Sequence, residues 1–178
     1  MQMRIDRRWA ILGLLVSVGM ASFLPQDDTS SEPLVVFLVR HAEKEEGGRD
    51  PELSKDGLAR SKALAHVLRD AKIEHVHSTS YRRTQSTAAP IAEVLKKKIE
   101  SYDPRSLPAV AERLRKAGSR HLVVGHSNTT PDLVKALGGE PGSPIEEKTE
   151  YDRLYVVTVP KTGPVTTVLL RYGEPMSR

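Results

Sequence analysis

Short apolar runs alternate with amphipathic stretches along most of the chain. Residues 34–39 (LVVFLV) are apolar at every position, which is typical of a strand buried on both faces of a parallel sheet. Three shorter β-rich runs follow, and helical patterns separate them: residues 73–78, 99–102 and 121–124. Strands that alternate with helices predict a three-layer α/β/α sandwich around a mostly parallel central sheet.

Capping residues and turn residues set the bounds of the other predicted elements. The helical patterns cover residues 54–71, 83–98, 107–117 and 131–137. Ser54 is a suitable N-cap for the first helix, on whose inner face Leu58 is expected. Pro90 falls inside the second helix, where it is expected to kink the helix or to lie in its first turn. Residues 154–159 and 165–170 flank a turn rich in Pro and Gly, and are predicted to pair as a hairpin.

The N-terminal segment has the pattern of an export signal. Three arginines precede residues 9–24, which carry no charge and are fewer than the roughly 20 residues that span a bilayer. We therefore predict a signal peptide or N-terminal anchor over residues 1–24, with cleavage near Ala21, and export to the periplasm or the exterior. A polar linker at residues 25–33 then leads into one folded domain at residues 34–178.

Composition and charge narrow the classes of function. The 178 residues carry a formal net charge of +4, and 28% of them are charged, which is an ordinary globular balance. Aromatic residues make up only 4%, which argues against a nucleic-acid partner. The absence of cysteine excludes disulfides, thiol catalysis and Cys-ligated zinc. Contact with a membrane is expected only through an uncleaved N-terminal segment, and the sequence does not indicate the oligomeric state.

Cationic and imidazole side chains follow the predicted strands where they end. Arg40 and His41 end the first strand, Arg83 follows the second, and His126 ends the fourth. Because the carboxyl ends of parallel strands share one edge of the sheet, these four side chains are expected to converge there. Two guanidinium groups beside two imidazoles suit an oxyanion such as phosphate. Thr129 is expected to cap the next helix and to add donors beside His126.

Four motifs follow one another in order at this predicted edge and beside it. They are LVRHAEK at 38–44, DPELSKDGLARSKALA at 50–65, STSYRRTQSTAAPIA at 78–92 and LVVGHSNTTP at 122–131. Together they resemble the histidine phosphatase superfamily, which has the phosphoglycerate-mutase-like fold, and in particular its small members without a lid. The resemblance extends from residue 34 to about residue 172 and implies the same fold for this domain.

The resemblance also implies a role for each of the four site residues. His41 would be the nucleophile that takes the phosphoryl group as phosphohistidine. Arg40 and Arg83 would clamp the phosphate oxygens, and His126 would bind the same phosphate and stabilise the transition state. This implies a phosphatase without metal or cofactor, acting on a small phosphorylated substrate: a phosphate monoester, a phosphohistidine or a phosphoanhydride.

Two departures from the family pattern leave the proton donor open. The branched acid phosphatases have Asp directly after the second histidine, where this chain has Ser127, and the catalytic-Glu insert of the mutases is missing. Asp103 is the first candidate for a general acid and Glu43 the second. Ser127, Asn128 and Thr129 are expected to contact the substrate.

Three other functions compete with this interpretation. A phosphate-binding module without catalysis could use the same four residues, and a phosphoglycerate-type mutase could use them with a bisphosphate primer. A metal hydrolase could use His75 and His77, which alternate on one strand face. We favour packing roles for these two histidines, because no third ligand lies at a useful spacing in the sequence.

Overall fold

The structure, a computed structural model, describes residues 32–175. Its elements are β1 (Leu34–Arg40), α1 (Lys55–Leu68), β2 (His75–Ser78), α2 (Arg82–Leu95), β3 (Ile99–Ser101), α3 (Leu107–Ala117), β4 (Arg120–Gly125), α4 (Thr129–Ala136), β5 (Arg153–Val159) and β6 (Thr166–Arg171). The predicted signal or anchor at residues 1–24, and most of the predicted linker at residues 25–33, lie outside the described residues.

One six-stranded sheet has the strand order β3-β2-β4-β1-β5-β6. The pairs β2–β3, β2–β4 and β1–β4 are parallel, whereas β5 pairs antiparallel with both β1 and β6. The sheet is therefore mostly parallel, with the predicted hairpin attached at one side. The α/β fold predicted from the sequence is confirmed.

Each face of the sheet carries its own apolar core. Strand β1 lies in the middle of the sheet and contributes to both: Val35 and Val39 pack with α1 and α2, while Val36 and Leu38 pack with α3 and α4. All seven β1 residues are buried, as the continuous apolar run predicts. The two cores make the three layers and hold the carboxyl ends of β1, β2 and β4 at one edge.

Helix α1 differs from its prediction on one face. Leu58 is 49% exposed rather than directed inward. The buried stripe instead runs through Gly57, Arg60 and Ser61 before reaching Leu64, so small and charged residues take positions where apolar ones were expected. Gly57 is required there, because a Cβ at this position would collide with the carbonyl oxygen of Glu43.

Helix α2 passes through Pro90 and ends earlier than predicted. The proline lies inside the helix, and the chain continues helically to Leu95, held by buried neighbours such as Ile91. Lys96 then adopts a left-handed conformation with φ +54°, and its N–H donates to backbone carbonyls of the last turn. The predicted end at residue 98 is wrong because this left-handed cap stops the helix first. No helix within residues 32–175 is long and apolar enough to span a membrane.

Candidate functional site

The strand register brings the predicted residues to one edge of the sheet. Arg40 pairs with Gly125 across β1 and β4, and Ser78 pairs with Val124 across β2 and β4. The residues that follow these strand ends therefore lie side by side. The imidazole rings of His41 and His126 have their centroids 5.6 Å apart at nearly perpendicular planes.

Backbone hydrogen bonds fix the orientation of His41. Its N–H donates to the carbonyl of Gly125 at 2.9 Å, and its Nδ1 lies 2.8 Å from the carbonyl oxygen of Ala42. Because a carbonyl only accepts, Nδ1 must carry the ring hydrogen, which leaves the lone pair on Nε2. Burial, reinforced by the charges of Arg40 and Arg83, lowers the pKa of His41 to about 3. The imidazole is neutral near pH 7 and is available as a nucleophile.

Arg40 is buried and contacts the loop between α4 and β5. Its Nη1 donates to the backbone carbonyls of Glu146, Glu147 and Glu150 at 3.3, 2.9 and 3.0 Å, and its guanidinium lies 4.0 Å from the ring centre of Tyr151. Burial lowers the pKa of Arg40, and nearby anionic groups oppose that effect. The Nε atom is buried and has no hydrogen-bond partner among the described residues.

Arg83 lies in the first turn of α2 and faces the same space. Its Nη1 is 3.3 Å from Oδ1 of Asp50, a long ion pair, and its guanidinium lies 4.4 Å from the ring centre of Tyr81. The Nε atom of Arg83 is also buried and has no partner in the described part of the chain. Thr87 holds this helix against β1, since its Oγ1 accepts from the N–H of Ala42 and donates to the carbonyl of Arg83.

His126 is held by hydroxyl groups. The ring Nε2 of His126 is 3.1 Å from Oγ1 of Thr79, and the backbone N–H of His126 donates to Oγ1 of Thr129 at 3.1 Å. Burial and the two arginine charges lower the pKa of His126 to about 4. The preceding Gly125 is required, because a Cβ there would lie 2.9 Å from the Tyr102 hydroxyl. Thr129 does not cap α4 as predicted: it is the first residue of that helix, and its hydroxyl holds His126 instead.

These groups line an open cavity of about 530 Å³. His41, Arg83 and His126 contribute to its wall, together with all three residues predicted to contact substrate: Ser127, Asn128 and Thr129. Lys44 and Arg105 add positive charge at the same wall. A cavity of this sign, with two buried guanidinium nitrogens unpaired beside it, favours a tetrahedral oxyanion.

Neither predicted proton donor lines this cavity. Asp103 is paired with Arg105 at 3.0 Å, and hydrogen bonds from that arginine lower the pKa of Asp103. Glu43 is paired at 2.8 Å with Arg60, a buried residue. Both carboxylates are bound to arginine partners. The acidic residue that does line the cavity is Glu147, which the sequence did not indicate.

A second group of histidines lies away from the cavity; we call it the strand histidine cluster (His75, His77 and His121), of which His77 and His121 are buried. The rings are stacked, with centroids 4.8 to 6.2 Å apart. His121 Nε2 donates to the carbonyl of Gly118, so its Nδ1 accepts from His77 Nε2 at 2.9 Å. Glu100 lies 3.0 Å from Nδ1 of His75 and 3.8 Å from Nδ1 of His77.

The sequence alone did not place His121 and Glu100 beside the two alternating histidines. Even so, no group of three or more His, Cys, Asp or Glu side chains within residues 32–175 has an arrangement that could hold a metal ion. Stacking and hydrogen bonds hold the three rings together, and the buried Nδ1 of His77 is left without a hydrogen-bond partner among the described residues.

Comparisons with known proteins agree with these observations. A family model described as the histidine phosphatase superfamily (branch 1) matches residues 36–113, which include His41 and Arg83. The predicted resemblance to this superfamily is thereby confirmed. A search of curated protein sequences finds no match.

Several solved structures share the fold. One is the protein histidine phosphatase SixA complexed with tungstate, at TM-score 0.62 and 21% identity, covering 78% of this chain and 97% of that one. Another is the mycobacterial glucosyl-3-phosphoglycerate phosphatase, at TM-score 0.61 and 15% identity, covering 79% and 99%. The phosphoglycerate mutase from Bacillus anthracis matches at TM-score 0.63 and 14% identity, covering 79% and 93%. At these identities the likeness establishes the fold.

Proposed function

Because the chain resembles the histidine phosphatase superfamily in both sequence and fold, we propose that it is a phosphatase that works through a phosphohistidine intermediate on His41. It hydrolyses phosphate monoesters, or the more reactive phosphohistidines and phosphoanhydrides, without a metal ion. The positive charge of the cavity supports this part of the proposal, since Arg40, Arg83 and Lys44 would repel a divalent cation.

One observation carries the proposal: the buried guanidinium Nε atoms of Arg40 and Arg83, both near the neutral imidazole of His41, have no partner among the described residues. Leaving a buried charged donor unpaired costs more than leaving a neutral one, typically about 1–3 kcal/mol or more. The Nε atoms of Arg40 and Arg83 both carry this cost in the described structure. A bound phosphate would remove it from both, because its oxygens accept from guanidinium groups two at a time.

The reaction then follows in two displacements. Nε2 of His41 attacks phosphorus, an N–P bond forms, and the bond from phosphorus to the leaving oxygen breaks with its electron pair. The three remaining phosphoryl oxygens receive hydrogen bonds from Arg40, Arg83 and His126. Water next attacks the same phosphorus atom, the N–P bond breaks, and inorganic phosphate and neutral His41 are released.

The names of structural neighbours support the class of reaction. One neighbour is a protein histidine phosphatase solved with tungstate, a tetrahedral oxyanion like phosphate, and another is a sugar-phosphoglycerate phosphatase. A third neighbour is a phosphoglycerate mutase, so phosphoryl transfer between two positions of one substrate is the alternative to be tested. The predicted export over residues 1–24 stays part of the proposal, since that segment lies outside the described residues.

The test is hydrolysis of p-nitrophenyl phosphate by the full chain with EDTA present. We compare the wild type with His41→Ala and with His66→Ala, a matched control on the exposed face of α1. The wild type and the control should release nitrophenol at equal rates. The rate of His41→Ala should be lower by a factor on the order of 10³ or more, because no other residue replaces a missing nucleophile. A phosphorylated wild-type chain trapped by acid quench should carry acid-labile phosphate, and His41→Ala should carry none.

Three outcomes would favour another function. Phosphate binding without turnover in the wild type indicates a binding module. Turnover that requires a bisphosphate primer indicates a mutase. Activity that survives His41→Ala and disappears with EDTA indicates a metal hydrolase.

A further inference from the structure

The proposed reaction needs a proton on the leaving oxygen, and the lining of the cavity includes one acidic residue. This inference rests on the proposed phosphatase function. The residue is Glu147, which belongs to the loop between α4 and β5 and lines the cavity together with His41, Arg83 and His126.

Arg40 fixes the position of Glu147. The Nη1 of Arg40 donates to the backbone carbonyl of Glu147 at 2.9 Å, and the Nε of the same guanidinium is buried without a partner among the described residues. The charge of Glu147 acts directly on Arg40, which places the carboxylate near that guanidinium. One arginine therefore holds the backbone of Glu147 and also has a buried donor free for the proposed phosphate.

The other carboxylates close to this edge are engaged elsewhere. Asp50 accepts from the N–H of Arg82 at 3.0 Å and pairs with Arg83. Glu150 is bound by Arg153 and Arg171, at 2.7 and 2.8 Å. The side chain of Glu147, in contrast, makes no ion pair or hydrogen bond with any residue of the described range.

We propose that Glu147 is the general acid of this site. Its carboxylic acid gives a proton to the leaving oxygen as the bond from that oxygen to phosphorus breaks, and the carboxylate formed then accepts a proton from the water that attacks the phosphohistidine. The proton balance closes over one turnover, since the acid form returns with the release of phosphate.

Two features of the position fit this role. Glu147 is exposed, so water reaches it between turnovers. It also lines a second cavity of about 820 Å³ next to the first, so the leaving group has space to depart past it.

The test compares substrates whose leaving groups differ in basicity and therefore in how much they depend on protonation. Glu147→Gln is compared with the wild type on p-nitrophenyl phosphate, on phenyl phosphate and on glycerol phosphate. We expect kcat on glycerol phosphate to fall by about 10²–10⁴-fold and kcat on p-nitrophenyl phosphate to change by less than about threefold. The rate should therefore depend more steeply on leaving-group basicity in Glu147→Gln than in the wild type.

Glu146→Gln is the matched control. Glu146 is the preceding residue, is exposed, and lines the second cavity but not the phosphate cavity. In Glu146→Gln, the dependence of kcat on the leaving group should equal that of the wild type. An equal loss on all three substrates in Glu147→Gln, or no loss on any, overturns the proposal while the phosphatase function stands. A wild type that hydrolyses none of the three contradicts the phosphatase function itself.

Discussion

The molecule contains two groups of histidine side chains, and the two groups differ in what surrounds them. His41 and His126 face an open cavity beside two arginines, whereas the rings of the strand histidine cluster stack on one another beside Glu100. Burial lowers the pKa in both groups, as the values for His41 and His126 and the direction for His77 indicate. A lowered pKa therefore does not distinguish a reactive histidine from a packed one here.

The neighbours of the imidazoles make the distinction. At the cavity, the charges of Arg40 and Arg83 lower the pKa values of both imidazoles, and the Nε atoms of these arginines have no partner in the described part of the chain. In the strand histidine cluster, the nearest carboxylate is Glu100, which supports a positive charge on the rings. The cavity has a surplus of positive charge from Lys44, Arg83 and Arg105, whereas the strand histidine cluster has a carboxylate beside its rings. Unbalanced positive charge beside a cavity that is open to solvent marks the group of His41 and His126 as a binding site.

Substituting one histidine from each group should separate activity from stability. In His126→Asn we expect kcat for p-nitrophenyl phosphate to fall by about 10²–10³-fold, because a donor to the phosphoryl oxygens is lost. In His121→Asn we expect kcat to stay within about threefold. Its free energy of unfolding should instead fall by about 1–3 kcal/mol, because His77 and Gly118 lose a buried partner.

Kinetics and urea denaturation of both variants check this pair. If His121→Asn lost activity in proportion to His126→Asn while remaining folded, the two groups would be coupled and the comparison would not hold.

Both groups should weaken the fold in mild acid. The pKa values of His41 and His126, about 3 and 4, lie below the value of about 6.5 for an unfolded histidine. Between these values the unfolded chain binds more protons than the folded one, so the free energy of unfolding falls as the pH decreases. Each such histidine contributes up to about 1.4 kcal/mol per pH unit below pH 6.5.

Urea denaturation from pH 7.5 to 5 measures this slope, above the range in which most carboxylates titrate. The slope should be smaller in His126→Asn than in the wild type. Inorganic phosphate should reduce the acid sensitivity, because an anion beside His41 and His126 favours their charged forms. A slope that is unchanged by His126→Asn would mean that this residue is not neutral in the folded protein.

Local patterns account for what the sequence predicted correctly. The continuous apolar run of β1, the alternating helices and the hairpin each depend on neighbouring residues, and together they define the α/β fold. The same topology predicts that residues after parallel strands meet at one edge, and the structure brings Arg40, His41, Arg83 and His126 together there.

The rest of the cavity depends on contacts between distant segments. The loop that accepts hydrogen bonds from Arg40 lies 106 to 110 residues further along the chain. It has no periodic pattern, so Glu147 and Tyr151 could not be assigned to the site from the sequence. Asp103 was proposed from its place after a strand, but its side chain pairs with Arg105 two residues away, which strand topology does not predict.

The smallest expected effect concerns the one carboxylate of the strand histidine cluster. Glu100 is about half exposed, so its ion pair with His75 is screened by water and contributes little to stability. In Glu100→Gln we therefore expect a change of less than about 1 kcal/mol in the free energy of unfolding, and kcat and KM equal to those of the wild type. The pKa of His77 should fall further, because the charge of Glu100 opposes the effect of burial. A histidine titration followed by NMR measures this shift. A large loss of activity in this variant would place the cluster in the catalytic machinery, and the sign of the neighbouring charge would then no longer separate the two groups of histidines.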